Sequence, residues 1–567
     1  MLSTRQHKFL TTPTNKTSKS TMMFWFCLSL IFALYYSVLE LQQAFSNPYV
    51  VQDDARVYIS WMQQFLEPDL LQNDLLAQYF KSVTPFGFAT FYRGFTFVGV
   101  EPLFLSKVLP VGLKLLTTSY CFALCLQLFP VPTAAFISTL LLNQNLSMRD
   151  DLVSATPRAF IYLFFIAFSY YLLRRAFVPC LCAIALIGLF YPPFLLIVAV
   201  ILIIRLLVSR NGFDYVFGAS GLLLALLLML PYALSSSEFE PVVSGIELKS
   251  SPAFSPTGRI PFFDPNPFWF WLFGQHSGLL PNVLEHPLTS VGLLLPIILR
   301  YPLRFPLVKQ VTGAIAFLPQ IALASLLMFF AAHVLLYKLF APARYTRYTL
   351  KLALILAAGI ALVLILDAVL SWVQQSRIPR RQFLAVAFTV LTATFLVFYP
   401  HILKDFPHSN YVVASPKIYK FFQEQPKDIL IASLSEEADN LPTFSRRSIL
   451  VGWEYAVPYH LGYDRLIRQR ATDLIRAQYT SSLPEVQSFI HKYGVDFFML
   501  DRTAFTPEYL NTNPWFRQWQ SLAKDVLAML NTGSTPVLFG TIERCSVLKT
   551  EDLIVLQAKC AANLVEK

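Results

Sequence analysis

The sequence predicts a mainly α fold: a polytopic bundle of about eleven transmembrane helices followed by a small soluble α/β domain. Three observations carry that expectation: composition, recurrent apolar runs, and a change of texture near residue 400. The 567 residues are 55% hydrophobic, 15% aromatic and only 14% charged, with mean hydropathy +0.52, whereas soluble domains carry about 25% charge. A soluble globular protein, a disordered chain and a fibrous repeat are excluded. The net charge of +11 lies entirely in residues 1–400, where 27 basic side chains meet 16 acidic ones; residues 401–567 hold 18 of each.

Before the first apolar run, Met22 to Leu39, come Arg5, Lys8, Lys16 and Lys19 with no acid. The run is longer than a signal-peptide core and no small-residue cleavage site follows it, so it reads as a retained first helix with a cytoplasmic N-terminus. Further helices are expected near residues 103–128, 131–148, 158–175, 177–190, 193–207, 213–234, 286–301, 311–337, 350–370 and 383–400. Basic clusters at Arg174/Arg175, Arg205/Arg210, Arg300/Arg304/Lys309 and Arg377/Arg380/Arg381 mark cytoplasmic ends by the positive-inside rule. Residues 177–207 are interrupted by Tyr191-Pro192-Pro193. Two short helices turning at the prolines keep Arg175 and Arg205 on one side, whereas one kinked helix would part them. The odd number of passes then places residues 401–567 outside. There, Asp428–Ser433, Ser448–Val451 and Val495–Leu500 read as strands, and Tyr463–Tyr479 and Pro484–Tyr493 as helices. The domains expected are thus 1–400, with external loops 41–102 and 235–287, and 401–567.

Cys27, Cys121, Cys125, Cys180 and Cys182 lie in apolar runs, where a thiol acts as a small hydrophobe. Cys545 and Cys560 sit in the polar tail, and a disulfide between them is open if the tail is extracytoplasmic.

Candidate chemistry gathers in the external segments. The first loop carries Asp53-Asp54-Ala55-Arg56. A helix beginning near Asp53 would align Tyr58, Trp61, Met62, Phe65 and Leu66 on one face, with two carboxylates at its start. Those carboxylates read either as a cap and dipole partner, or as a general base or metal ligand. Asp150-Asp151, with Pro157-Arg158 downstream, pairs carboxylates with an arginine. That combination suits a divalent cation plus a phosphate, and equally a salt-bridged loop. Lys338, Arg344, Arg347 and Lys351 form a basic cluster that the parity of the helices places outside, against the positive-inside rule. Lipid phosphate is its natural partner, with arginine supplying a bidentate fork. Residues 235–287 mix Glu247, Arg259, His276 and Glu285 with Phe268, Trp269, Phe270 and Trp271, the pattern of an interfacial belt or of a cover over a site.

The arrangement resembles the GT-C class of polytopic membrane glycosyltransferases, here a bacterial branch. The matching pieces are a multispan body, Asp53-Asp54 just after the first helix, Asp150-Asp151 in a later external loop, and the soluble tail. The resemblance implies a sugar donor on polyprenyl phosphate, an acceptor it leaves unnamed, and membrane lipid as surroundings. It implies Asp53 or Asp54 as the catalytic carboxylate, Arg344, Arg347, Arg158 and Arg56 as donor-phosphate ligands, and Mg or Mn as the cation for Asp150 and Asp151. It also implies a bacterial inner or plasma membrane location. The oligosaccharyltransferase motif Trp-Trp-Asp-Tyr-Gly has only the echo Gly452-Trp453-Glu454-Tyr455, so the resemblance does not extend to Asn glycosylation. Competing readings are a transporter or flippase of a lipid-linked or anionic substrate, which would place ionisable groups near the bilayer midplane, and a non-catalytic scaffold. Nucleic-acid binding is not expected from a charge-neutral tail.

Overall fold

The computed structural model describes every residue except 1–3, 209–211, 235–236, 375–378, 414–415, 532, 534 and 564–567. Arg210 and Arg377, members of two expected basic clusters, lie outside the described residues. The apolar runs fold as helices Lys19–Ala44, Pro102–Leu128, Pro132–Ser147, Ile161–Leu173, Phe177–Phe190, Leu195–Val208, Gly212–Leu234, Phe317–Val334, Thr349–Gln374 and Pro379–Phe398. Residues 286–301 differ from the α-helix expected there: Pro287–Leu294 is a 3₁₀ segment and only Leu295–Ile298 makes an α turn. Pro296, at the start of that turn, lacks the N–H that would continue a helix from Gly292, and Gly292 packs closely, a Cβ there coming within 2.5 Å of the Leu354 carbonyl oxygen. Among the described residues, six helical segments are long and apolar enough to cross a membrane: Lys19–Ala44, Pro102–Leu128, Asp214–Leu234, Gly313–Val334, Arg344–Val373 and Arg380–Ile402.

Two helices form the centre of the bundle. Every residue of Pro132–Ser147 is buried, and in Thr349–Gln374 buried residues run through Leu352, Ile355, Leu356, Ile360 and Val363. Apolar residues all round a helix require a neighbour on every side, and Gly359 lets these two meet: a Cβ there would sit 2.9 Å from the Ala134 carbonyl oxygen. Outer helices instead present bare apolar side chains, such as Leu226, Phe383 and Leu391, as lipid contact demands.

Hydrogen bonds identify the two ends of the bundle. At one end the Thr14 N–H donates to the Pro130 carbonyl and the Thr312 N–H to the Leu128 carbonyl, while His7 pairs with Asp367 at 2.8 Å. At the other, the His408 N–H donates to the Ser147 carbonyl at 2.8 Å. Phe177–Phe190 and Leu195–Val208 turn about Pro192–Phe194 and both pack on Gly212–Leu234. Arg175, 3.5 Å from Asp214, lines one cleft with Arg205, so these two arginines lie at the same end.

The tail folds around a five-stranded sheet of order β4-β3-β5-β7-β6, from β3 Leu430–Ala432, β4 Ser448–Ile449, β5 Phe497–Asp501, β6 Ser546–Lys549 and β7 Leu553–Gln557. The first three of these run parallel and β7 is antiparallel to both β5 and β6. Helices Leu461–Tyr479 and Leu483–Tyr493 connect β4 to β5. Cys545 and Cys560 are disulfide-bonded, with Cα atoms 5.5 Å apart. A further pair joins tail and body: β1 Val50–Gln52 of the first loop runs antiparallel to β2 Tyr411–Val413. The 245–263 stretch adds a small second core of Leu248, Phe254, Ile260 and Phe262 with Tyr337 and Ala341, and the Val243 N–H reaches the Tyr459 carbonyl at 3.0 Å.

Candidate active site

The β1–β2 pair sets the starting point of a short helix, Asp53–Tyr58. Its cap is Gln52 rather than Asp53. The Gln52 Oε1 accepts the Ala55 N–H at 3.1 Å, and its Nε2 donates to Asp150 Oδ2 at 3.4 Å. Asp53 and Asp54 are thereby free of capping. Adjacent helical residues point about 100° apart, so the two carboxylates face different partners. The stripe expected beyond them is only partly hidden: Trp61 and Met62 are buried on a 3₁₀ turn, while Leu66 is exposed.

Asp54 faces the bundle. It pairs with Arg158 Nη2, which also lies 2.9 Å from Asp150 Oδ2, and Arg158 Nη1 is 3.6 Å from Asp151 Oδ1. The 3₁₀ turn Pro157–Phe160 positions this guanidinium, with Pro157 supplying the preset φ of a first helical position. Asp151 in turn accepts the Tyr348 hydroxyl at 3.3 Å, and that hydroxyl accepts Arg344 Nη1 at 3.1 Å. Arg344 also sits 5.7 Å from the Phe340 ring centroid. Asp54, Asp150, Asp151, Arg158 and Arg344, separated by up to 290 positions in the chain, thus meet in one cluster. Of its carboxylates Asp54 is the most accessible, 33% exposed against 22% for Asp150 and 4% for Asp151. Desolvation raises the Asp54 pKa, with Arg158 opposing. Burial also raises Asp151, but Arg158, Arg347 and Lys351 outweigh it and hold that carboxylate well below its ordinary range.

Asp53 faces the tail. Its Oδ1 accepts Arg56 Nη2 at 2.6 Å and its Oδ2 accepts Asn410 Nδ2 at 3.3 Å. Arg56, expected as a phosphate ligand, is instead buried between loop and tail. Its Nη1 donates to Asn440 Oδ1 at 2.8 Å, its Nη2 lies 3.7 Å from Glu454, and its carbonyl accepts the Tyr455 hydroxyl at 3.0 Å. Arg259 completes the set, pairing with Glu454 and donating to the Trp453 carbonyl at 2.8 Å. Burial, with Glu454 adding and Arg56 opposing, pushes the Asp439 carboxyl up to about 8. Arg347 is likewise buried, its Nη2 donating to the Gln275 carbonyl at 2.9 Å.

The structure places Asp150 and Asp151, the expected metal ligands, around Arg158. Among the described residues no group of three or more His, Cys, Asp or Glu side chains is placed to hold a metal ion, and both carboxylates turn towards Arg158.

Sequence reasoning did not place Tyr348, Glu285 or the Asp439-Asn440-Glu454 face beside these charges. Tyr348 had a signal, standing four residues after Arg344 at the start of a helix. Glu285, which joins Arg149 at 3.0 Å to Lys351 at 3.4 Å, had none, because its partners come from distant segments.

The chain shares its fold with solved structures of an archaeal oligosaccharyltransferase, and it is a multispan membrane protein. It is similar to the crystal structure of the Archaeoglobus fulgidus oligosaccharyltransferase in the apo form, with TM-score 0.55 and 13% identity over 89% of this chain and 72% of that one. It is also similar to the same enzyme tethered to an acceptor peptide containing the NVT sequon, with TM-score 0.51 and 14% identity over 89% and 72%. A third likeness is to the archaeal enzyme AglB from Archaeoglobus fulgidus with an inhibitory peptide and a dolichol-phosphate, with TM-score 0.51 and 15% identity over 88% and 72%. No protein-family profile and no curated protein match the chain.

Proposed function

We propose that this chain is a GT-C glycosyltransferase that moves a sugar from a polyprenyl-phosphate-linked donor to an acceptor at the membrane face carrying the tail. The observation that carries the reading is the convergence of an accessible carboxylate, Asp54, with Arg158 and Arg344 beside the bundle. The bundle also has an open apolar cleft of about 530 Å³ lined by Phe86, Gly87, Phe91, Gly94, Phe95 and Phe190. Phe91 touches Phe160, two residues after Arg158, with centroids 5.6 Å apart. An isoprenoid chain lies in such a cleft with its phosphate towards the arginines. The structural neighbours, one of them a complex with dolichol-phosphate, are consistent with a donor of this kind.

In the reaction Asp54 accepts a proton from the acceptor group as that group attacks the anomeric carbon. The bond between that carbon and the phosphate oxygen breaks, and the phosphate leaves with the electron pair. Arg344, a bidentate donor, stabilises the charge it gains. Arg158 aims Asp54 and opposes the desolvation that raises its pKa. Asp53 and Arg56 hold the tail against the first loop.

In this reading the N-terminus is cytoplasmic and residues 401–567 form an extracytoplasmic domain of a bacterial inner or plasma membrane, an orientation that the basic clusters support. The Cys545–Cys560 disulfide supports an oxidising compartment for that domain. Glu454, the echo of the oligosaccharyltransferase aspartate, is engaged by Arg56 and Arg259, which favours an acceptor other than the Asn sequon.

The test supplies purified protein with radiolabelled polyprenyl-phosphate sugars. Transfer is expected in the wild type and is lost in Asp54→Asn and Arg344→Ala. Absence of transfer and of donor binding would favour the transporter or scaffold reading, and undiminished transfer in both variants would refute the site.

A further inference from the structure

We propose that the Arg158 guanidinium is the resident cation of the Asp54, Asp150 and Asp151 carboxylates, occupying the position a divalent metal would need, so that this site operates without one.

The geometry leads there from three sides. The acids come from separate segments: Asp54 from the first-loop helix, and Asp150 and Asp151 from the turn after Pro132–Ser147. All three close on the two terminal nitrogens of one side chain, which is 13% exposed. The Arg158 Nε reaches Ser154 Oγ at 3.5 Å, so donors around the whole fork are turned towards this loop. A guanidinium is planar and always charged, and its N–H groups match carboxylate oxygens. Mg would need near-octahedral oxygen ligands at about 2.0–2.1 Å. The same oxygens cannot point at N–H donors and at a metal together, so a metal held by these oxygens requires Arg158 to leave a buried position and its partners.

Charge explains why one arginine suffices. Arg347 and Lys351 also act on Asp151 and hold it ionised, and Tyr348 donates to it. Positive charge is thus already supplied by the chain on more than one side of the acids. Arg158 is then a positioning residue that holds the Asp54 carboxylate in one orientation, and only this last step rests on the glycosyltransferase reading.

The full chain, purified in detergent and stripped with EDTA, is titrated with Mn²⁺ and read by electron paramagnetic resonance of the bound ion. Wild type is expected to bind no Mn²⁺ at the site. Arg158→Ala, which empties the space among the carboxylates, is expected to gain one bound Mn²⁺, and Arg158→Ala with Asp150→Asn to lose it again. Arg158→Lys, which retains a cation, is expected to gain none. Wild-type binding that Asp54→Asn or Asp150→Asn abolishes overturns the proposal, and needs no arginine variant to fold. So does a folded Arg158→Ala protein that binds no Mn²⁺. Metal binding is read without any sugar donor, so a failure of the transfer assay leaves this result intact, and the converse also holds.

Discussion

Replacing Arg56 by methionine removes the cation that joins the first loop to the tail. The guanidinium donates to Asn440 at 2.8 Å and to Asp53 at 2.6 Å and lies 3.7 Å from Glu454, with its side chain only 9% exposed. Methionine retains much of the stem's packing, so the loss is chiefly electrostatic. Breaking a buried ion pair from one side costs roughly 3–5 kcal/mol, because the remaining charges stay buried without their partner. Asp439 adds a pH signature. Its carboxyl rises from 3.8 to about 8, so between those values the folded chain retains a proton that the unfolded chain has released. Stability therefore falls as pH rises across that window. Arg56 lowers the Asp439 pKa, so its removal extends the window upward and makes the variant's deficit larger above about pH 8 than below it. Denaturant unfolding followed by tryptophan fluorescence reads both effects, since Trp453 and Trp515 pack edge to face beside this face with centroids 5.2 Å apart. A deficit under about 1 kcal/mol, the scale of an exposed pair, or one that shrinks as pH rises, would refute the reasoning.

Three further outcomes are expected. Asp54→Asn lowers transfer by roughly 10²–10⁴-fold, the usual contribution of a general base, and Asp53→Asn lowers it less because Asp53 is engaged by Arg56; initial rates with labelled donor compare them. Cys545→Ser with Cys560→Ser, opening a bridge of sequence separation 15, destabilises the tail by about 3 kcal/mol, read as a lower unfolding midpoint under non-reducing conditions. Lys114→Met leaves Glu40 buried without the ammonium 2.6 Å away and costs roughly 3–5 kcal/mol, while Lys114→Met with Glu40→Leu recovers most of it. Thermal unfolding in detergent separates the single variant from the pair.

The membrane body was legible because helix formation in an apolar solvent depends on local composition: every run of apolar residues must satisfy its own backbone, and the run alone reveals it. The Pro192-Pro193 turn was legible for the same reason, proline acting within its own segment. Residues 286–301 were not, because hydropathy passes over Pro296, which interrupts the helical ladder there, and does not encode the packing of Gly292 on Leu354. In the tail, β3, β4 and β5 announced themselves as short apolar runs. Neither β6 nor the apolar β7 was among the strands expected.

The candidate site divides along the same line. Asp54, Asp150, Arg158 and Arg344 were identifiable as charges in segments expected on one side of the membrane, but residue spacing alone could not tell a metal-binding pair from a pair holding an arginine. Nor could it separate Asp53 from Asp54. That distinction comes from a single helical step: the β1–β2 pair fixes where the helix begins, Gln52 takes the capping position, and the next two side chains then diverge by about 100°. Asp53 turns to Arg56 and the tail, and Asp54 to Arg158 and the bundle. Because Asp53 also accepts Asn410 of the tail, the accessible carboxylate stands one residue from the seam between body and tail. Its orientation is therefore determined jointly by both parts of the chain, which is why neither part read alone could reveal it.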